Sequence, residues 1–298
     1  MQSADFLSAV FFYLKVGENL NQNWIVENLN NAFSTWNGKL GELWGLVTTG
    51  PQTFKGGAVW SVMQTLHNGM VGIGYALVVL FFAISLCKNT MNFHELKRPE
   101  AAIHYFLRFV AAKTLVGYGM DIMLNVFSIC NGIVTDMADS MGGISEAMVS
   151  LPAEMQTAIE NVGFLASIPL WLVTILGSLF ITVLSFVMIL TVYGRMFKLY
   201  MYTAIAPIPL ATFAGEPTQS VGKNFIRSYA GVCLEGAIIA LACIIFSAFS
   251  SSGTPVVDSS ASVVTQVWSY LGEVIFNLLV LVGLVKSADH IVKEMLGL

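Results

Sequence analysis

The sequence predicts an all-α integral membrane protein, with about five transmembrane helices, a proline-broken re-entrant or interfacial segment at 199–215, and an amphipathic N-terminal helical region. Three observations carry this expectation. Of 298 residues, 56% are hydrophobic and only 11% are charged, against roughly 25% charged in an ordinary soluble domain. Several stretches of about 20 residues or more are almost free of charge, the length that crosses a hydrocarbon core of about 30 Å. One further apolar run is interrupted by Pro207 and Pro209, with Arg195 and Lys198 before it and Lys223 and Arg227 after it. The net charge of −4 decides little, because in a membrane protein the side on which charges lie matters more than their sum. No secretory signal is expected at the start: the first residues lack a basic n-region, and Asp5 precedes their short apolar segment.

Residues 1–57 form an extracytoplasmic N-terminal region by this reading, and 58–298 the polytopic membrane domain. In the first, Trp24, Ile25, Leu29, Phe33 and Trp36 recur near helical spacing among Asn and Glu residues. Such a stripe suits a helix lying on the membrane or on the bundle, or a contact surface for an external partner. The first span is 58–87, with no Asp, Glu, Lys or Arg between Lys55 and Lys88. The second, 101–135, is long and carries Arg108, Lys113 and Asp121. An acidic loop with a short helix at 153–161 follows. The third span is 162–194, uncharged up to Arg195; the fourth is 229–250, with Glu235 alone; the fifth is 266–286, with Glu273. A small polar connector, 251–265, joins the last two.

Basic residues orient the set. With the N-terminus outside and the C-terminus inside, only Lys15, Lys39 and Lys55 of the 14 Lys and Arg residues lie outside, while most acids do. Trp60, Trp171 and Trp268 then fall near outer ends of spans, and Tyr105, Tyr193, Tyr200, Tyr202 and Tyr229 near inner ends, where amphipathic rings favour the headgroup level.

The run at 199–215 is too short to span. A proline removes a backbone donor and clashes with the preceding turn, and it pushes the residue before it away from the helical region. A straight helix through 206–210 is therefore not expected. Carbonyls freed in a membrane need partners in protein or water, so the segment should pack inside the bundle or line a wet cavity. Gly215 then makes a second turn with Glu216 and Pro217. Two readings stand: a plain interfacial hairpin, or a hinge or gate built on Pro207, Pro209 and Gly215.

Ionisable groups within spans are costly unless paired or wet, and they default to a functional hypothesis. Glu235 is expected to pair with Arg108 or Lys113, which lie at similar depth. Asp121 and Glu273 fall nearer the outer half and could form a wet, cation-friendly ring in an assembly; the plainer alternative is interhelical salt bridges or snorkelling side chains. The inner basic set comprises Lys97, Arg98, Arg195, Lys198, Lys223 and Arg227. It suits anionic lipid and topology, or contacts with a partner.

Several chemistries are excluded. There is no phosphate-binding loop, HExxH, GxSxG or CxxC, so the chain reads as neither an enzyme nor a nucleotide-driven machine, and no cofactor or metal is implied. The four cysteines, Cys87, Cys130, Cys233 and Cys243, lack paired spacing and read as packing residues. The string "TLVGYG" at 114–119 resembles a potassium filter, but a filter needs extended backbone lining a pore, and this string lies mid-span after Lys113. Gly117 and Gly119, like Gly69, Gly72 and Gly74, read instead as sites of close helix approach.

The pattern "AxAPxPLA", followed by "GKNFIRSYAGVCLEGAIIALA", resembles the central region of the TrbL family, and the stretch 80–124, "LFFAISLCKNTMNFHELKRPEAAIHYFLRFVAAKTLVGYGMDIML", resembles members from Gram-positive mobile elements. The likeness covers about 80–250, and the first 57 residues add nothing to it. That family supplies the polytopic inner-membrane subunit of conjugative type IV secretion systems, equivalent to the sixth VirB component. The resemblance implies a channel or scaffold subunit that helps move single-stranded DNA, attached to its relaxase, across the cytoplasmic membrane. It implies partner ATPases at the inner face, other secretion-system subunits, and a ring-like homo-oligomer around the path. A secondary transporter or a small-solute or ion channel is the alternative; inverted internal symmetry would mark a transporter, and none is visible in the sequence.

Overall fold

The computed structural model describes residues 2–90, 99–141, 148–251 and 261–298. Helices account for nearly all of them. In chain order they are α1 (Gln2–Thr48), a 3₁₀ turn (Phe54–Gly57), α2 (Ala58–Thr90), α3 (Pro99–Gly117), α4 (Gly119–Met141), α5 (Ala153–Glu160), α6 (Phe164–Ile205), α7 (Pro207–Ala211), a second 3₁₀ turn (Thr212–Ala214), α8 (Gln219–Ser251) and α9 (Val263–Leu296). No strand occurs among the described residues. Four helical stretches are long and apolar enough to cross a membrane: Phe54–Lys88, Ser167–Ile205, Gln219–Phe249 and Val263–Leu296.

The expected second span, 101–135, is not one helix. It falls on α3 and α4, separated by Tyr118 between two glycines. The hydrogen-bond ladder nonetheless passes through: the Tyr118 N–H donates to Thr114 O at 2.9 Å, and its carbonyl accepts from Ile122 at 3.0 Å. Glycine carries a high conformational entropy cost in a helix, which favours an interruption there. The string 114–119 is therefore helical up to Gly117, unlike an extended filter. The other helices outrun the expected spans. Helix α6 continues to Ile205 rather than ending near 194, so 199–205 belongs to it and the separate segment begins only at Ala206. Hydropathy locates the part of a helix inside hydrocarbon, whereas backbone bonding continues until something stops it.

The chain forms two compact units. The first comprises Met1–Trp44, Gly142–Thr191 and Ala242–Lys286. Its core includes Ile25, Leu29, Phe33, Trp36, Leu40 and Leu43 of α1, all buried and three or four residues apart, the spacing of one helical face. Asn28 donates to Ser178 Oγ at 3.0 Å on α6. Asn37 pairs in both directions with the Val149 backbone, donating at 2.8 Å and accepting at 2.9 Å. The Phe33 ring meets Tyr270 of α9 edge-on at 6.4 Å, and the Tyr270 hydroxyl donates to Ser150 O at 2.8 Å. The stripe Ile25, Leu29, Phe33 and Trp36 is thus core of this unit and not a free contact surface; only Trp24 of the set is exposed, its ring tilted against Trp171 at 5.6 Å.

The second unit comprises Gly45–Met141, Val192–Leu241 and Ser287–Leu298. In it α7 and the turn after it pack against α2 and α3. Tyrosines brace the unit at two points. Tyr200 donates to Pro51 O at 2.7 Å, and Tyr229 of α8 donates to Met123 O of α4 at 2.9 Å. Cys130, Cys233 and Cys243 are buried and Cys87 is exposed; none is in a disulfide.

Candidate functional site

The proline break lies within the second unit. Helix α6 stops at Ile205, Ala206 forms the joint, and the single turn α7 begins on Pro207. A proline at 207 has no N–H to give to the carbonyl four residues earlier, which is that of Thr203. The structure supplies a substitute from another helix. His67 of α2, only 2% exposed, places Nδ1 at 2.7 Å from Thr203 O. A carbonyl is only an acceptor, so the contact assigns the proton to Nδ1.

Close backbone approach then seats the break. A Cβ at Gly74 of α2 would stand 2.9 Å from Pro207 O and 2.9 Å from Val116 Cγ1. One at Gly119 would stand 3.1 Å from Leu210 Cδ1, and one at Gly117 2.8 Å from the Tyr75 hydroxyl. The expectation of close approach therefore holds at Gly74, Gly117 and Gly119. It fails at Gly69 and Gly72, where a Cβ would meet nothing within 4 Å, because those glycines face away from the neighbouring helices. Gly215 closes the segment against α2, with Phe81 O 3.0 Å from where its Cβ would be. Pro207, Leu210, Ala211, Ala214 and Gly215 are buried, while Pro209 is half-buried. Neighbouring protein thus shelters the break. Thr212 Oγ1 donates to Pro209 O at 2.6 Å, and Thr218 Oγ1 donates to Thr212 O at 2.8 Å, so side-chain hydroxyls add to the backbone bonds that these carbonyls accept from Thr212 and Gly215.

A charged cluster lies in the same unit. Arg195 of α6 is 2% exposed. Its Nε donates to Val232 O at 3.2 Å and its Nη2 to Cys233 O at 3.4 Å, both on α8. The guanidinium occupies the space that a side chain at position 236 would fill, since a Cβ at Gly236 would overlap it. Arg195 is accordingly no part of an accessible basic face, contrary to the sequence expectation. One turn along α6, Lys198 Nζ lies 3.8 Å from Glu235 Oε2 and 3.1 Å from Asp289 Oδ1 of α9. Lys293 holds the other oxygen of Asp289 at 2.7 Å.

Glu235 is buried, and the expected pairing with Arg108 or Lys113 is not the one formed. Its carboxylate faces Lys198, while Arg108 reaches Glu216 at 3.7 Å, beside the broken segment. Similar depth permits many pairings, and helix rotation selects among them. Lys113, Asp121 and Glu273 are exposed within their units, as are Lys223 and Arg227 at the start of α8. Lys97 and Arg98 lie outside the described residues. Sequence reasoning missed His67, Gly236 and Asp289. A lone imidazole in the uncharged run after Lys55 was a signal for the first, and the adjacency of Gly236 to Glu235 for the second.

Residues 36–207 match the model of a protein family described as TrbL/VirB6 plasmid conjugal transfer like protein. The chain belongs to this family. The match starts at Trp36, earlier than the expected likeness, and ends at Pro207. In this TrbL/VirB6-like protein the matched region therefore includes the last quarter or so of the N-terminal helix, from Trp36 to Thr48, and it stops short of Glu235 and Asp289. No curated protein matches the chain. As a TrbL/VirB6-like protein it is a component of conjugal transfer, a type IV secretion process, and a multi-pass membrane protein.

Proposed function

We propose that this chain is a channel or scaffold subunit of a conjugative type IV secretion system that helps carry single-stranded DNA, with its relaxase, across the cytoplasmic membrane. The family match over 36–207 carries this reading. It runs through the first two of the four apolar crossing-length stretches, as far as the proline break. The chain lies with its N-terminus outside and its C-terminus inside, by the distribution of basic residues, and the break lies at the inner face. Several copies surround the path. Partner ATPases supply the energy and meet the inner surface at exposed Lys223 and Arg227, together with Lys97 and Arg98. A hinge at Pro207, Pro209 and Gly215 gates the inner mouth; its burial against α2 and α3 is what allows a movement there to reach both helices.

The test is an in-frame deletion scored for transfer of the mobile element, restored by the full chain. Transfer at the parental frequency in the deletion strain rejects the reading. Cysteines at 206–210 that crosslink to the passing strand support a path at the break, and crosslinks confined to other subunits move the path elsewhere.

A further inference from the structure

We propose that a slot between α6 and α9 in the first unit holds a single acyl chain of a membrane phospholipid. The cavity has a volume of about 390 Å³ and is lined by apolar side chains and glycines, with one Trp at its edge. On α6 the lining runs from Val173 to Leu184, and on α9 from Trp268 to Leu279. Eleven residues of helix rise roughly 16 Å. That is about half of a ~30 Å hydrocarbon core, the depth of one leaflet. Both walls belong to helices of membrane-crossing length, so the slot opens onto acyl chains and not onto water.

The dimensions choose the occupant. An extended hydrocarbon chain is slender enough to lie along a slot of about 390 Å³. The lining offers no charge and no carbonyl cluster, which excludes an ion or a polar solute. An empty slot would leave its walls without dispersion partners on one side, and a chain restores those contacts along its whole length. Trp268 stands 59% exposed at the edge, within the first turns of α9, where an indole suits the headgroup level. The phospholipid therefore enters with its headgroup beside Trp268 and its chain running toward Leu279. The inference rests on the membrane assignment and not on the transfer role.

Gly272 gives a clean probe, because a Cβ there meets nothing within 4 Å, and the same holds for Gly283 on the same helix, beyond the slot. The full chain, washed in detergent, is offered phosphatidylethanolamine with a brominated acyl chain. Native mass spectrometry reads the bound lipid, and the difference between wild type and Trp268→Phe reads quenching at Trp268. Wild type is expected to keep a lipid adduct and to show quenching at Trp268. Gly272→Leu is expected to lose most of both, and Gly283→Leu to keep both. Wild type without an adduct or quenching overturns the proposal, as does equal retention by Gly272→Leu. A dimer that Gly272→Leu abolishes also overturns it, by giving the slot to a second copy of the chain.

Discussion

His67 donates from Nδ1 to the carbonyl of Thr203, the acceptor that Pro207 leaves without its helical donor. The break in α6 is thereby tied to α2 by a side-chain hydrogen bond as well as by close packing. Loss of that donor leaves a buried carbonyl unpaired, which costs about 1–3 kcal/mol. His67→Ala should lower the thermal midpoint of the purified protein and reduce transfer. Pro207→Ala restores a backbone N–H at the same place, so in that background His67→Ala should cost measurably less. A double-mutant cycle with no coupling would contradict the assigned role.

Gly74 and Gly72 stand two residues apart on α2 yet differ in what they face. A methyl at Gly74 meets Pro207 O and Val116, whereas one at Gly72 meets open space. Gly74→Ala should impair transfer and stability. Gly72→Ala should be neutral, or stabilising by up to about 1 kcal/mol through helix propensity. Melting both variants in the same detergent checks the contrast, and equal loss in the two would refute the proposed seating of α7.

The Arg195 guanidinium occupies the space above Gly236. Gly236→Ala should expel it from the Val232 and Cys233 carbonyls and strand a charge between α6 and α8. Leaving these buried hydrogen-bonding groups unpaired costs about 1–3 kcal/mol each, enough to lower accumulation in the membrane. Glu235→Gln should be far milder, because Lys198 keeps Asp289 at 3.1 Å. Immunoblots of membrane fractions give the ranking, and an unstable Glu235→Gln beside a normal Gly236→Ala would invert it.

Lys223 and Arg227 are exposed and lie one turn apart on α8. Changing both to Ser should leave folding within about 0.5 kcal/mol of wild type. If they meet a partner at the inner face, transfer should fall while membrane levels stay constant. Unaltered transfer would remove them from that contact.

The sequence by itself determined that the chain is helical and membrane-embedded, and that no straight helix runs through 206–210. These follow from local quantities: hydropathy over about 20 residues, and a missing N–H at a known position. It also placed the N-terminal stripe from Ile25 to Trp36 on one helical face, though not what that face would meet. The structure alone decided that the stripe is core, that α6 runs on to Ile205, that Arg195 is sealed against α8 while Lys198 one turn away takes Glu235 and Asp289, and that His67 serves the Thr203 carbonyl. Each of these depends on how a helix is rotated about its axis and which neighbour it meets. Many rotations satisfy the same apolar pattern in a bilayer, because lipid and a neighbouring helix are equally apolar, so the choice rests on a few polar atoms and glycine clearances brought together from distant parts of the chain.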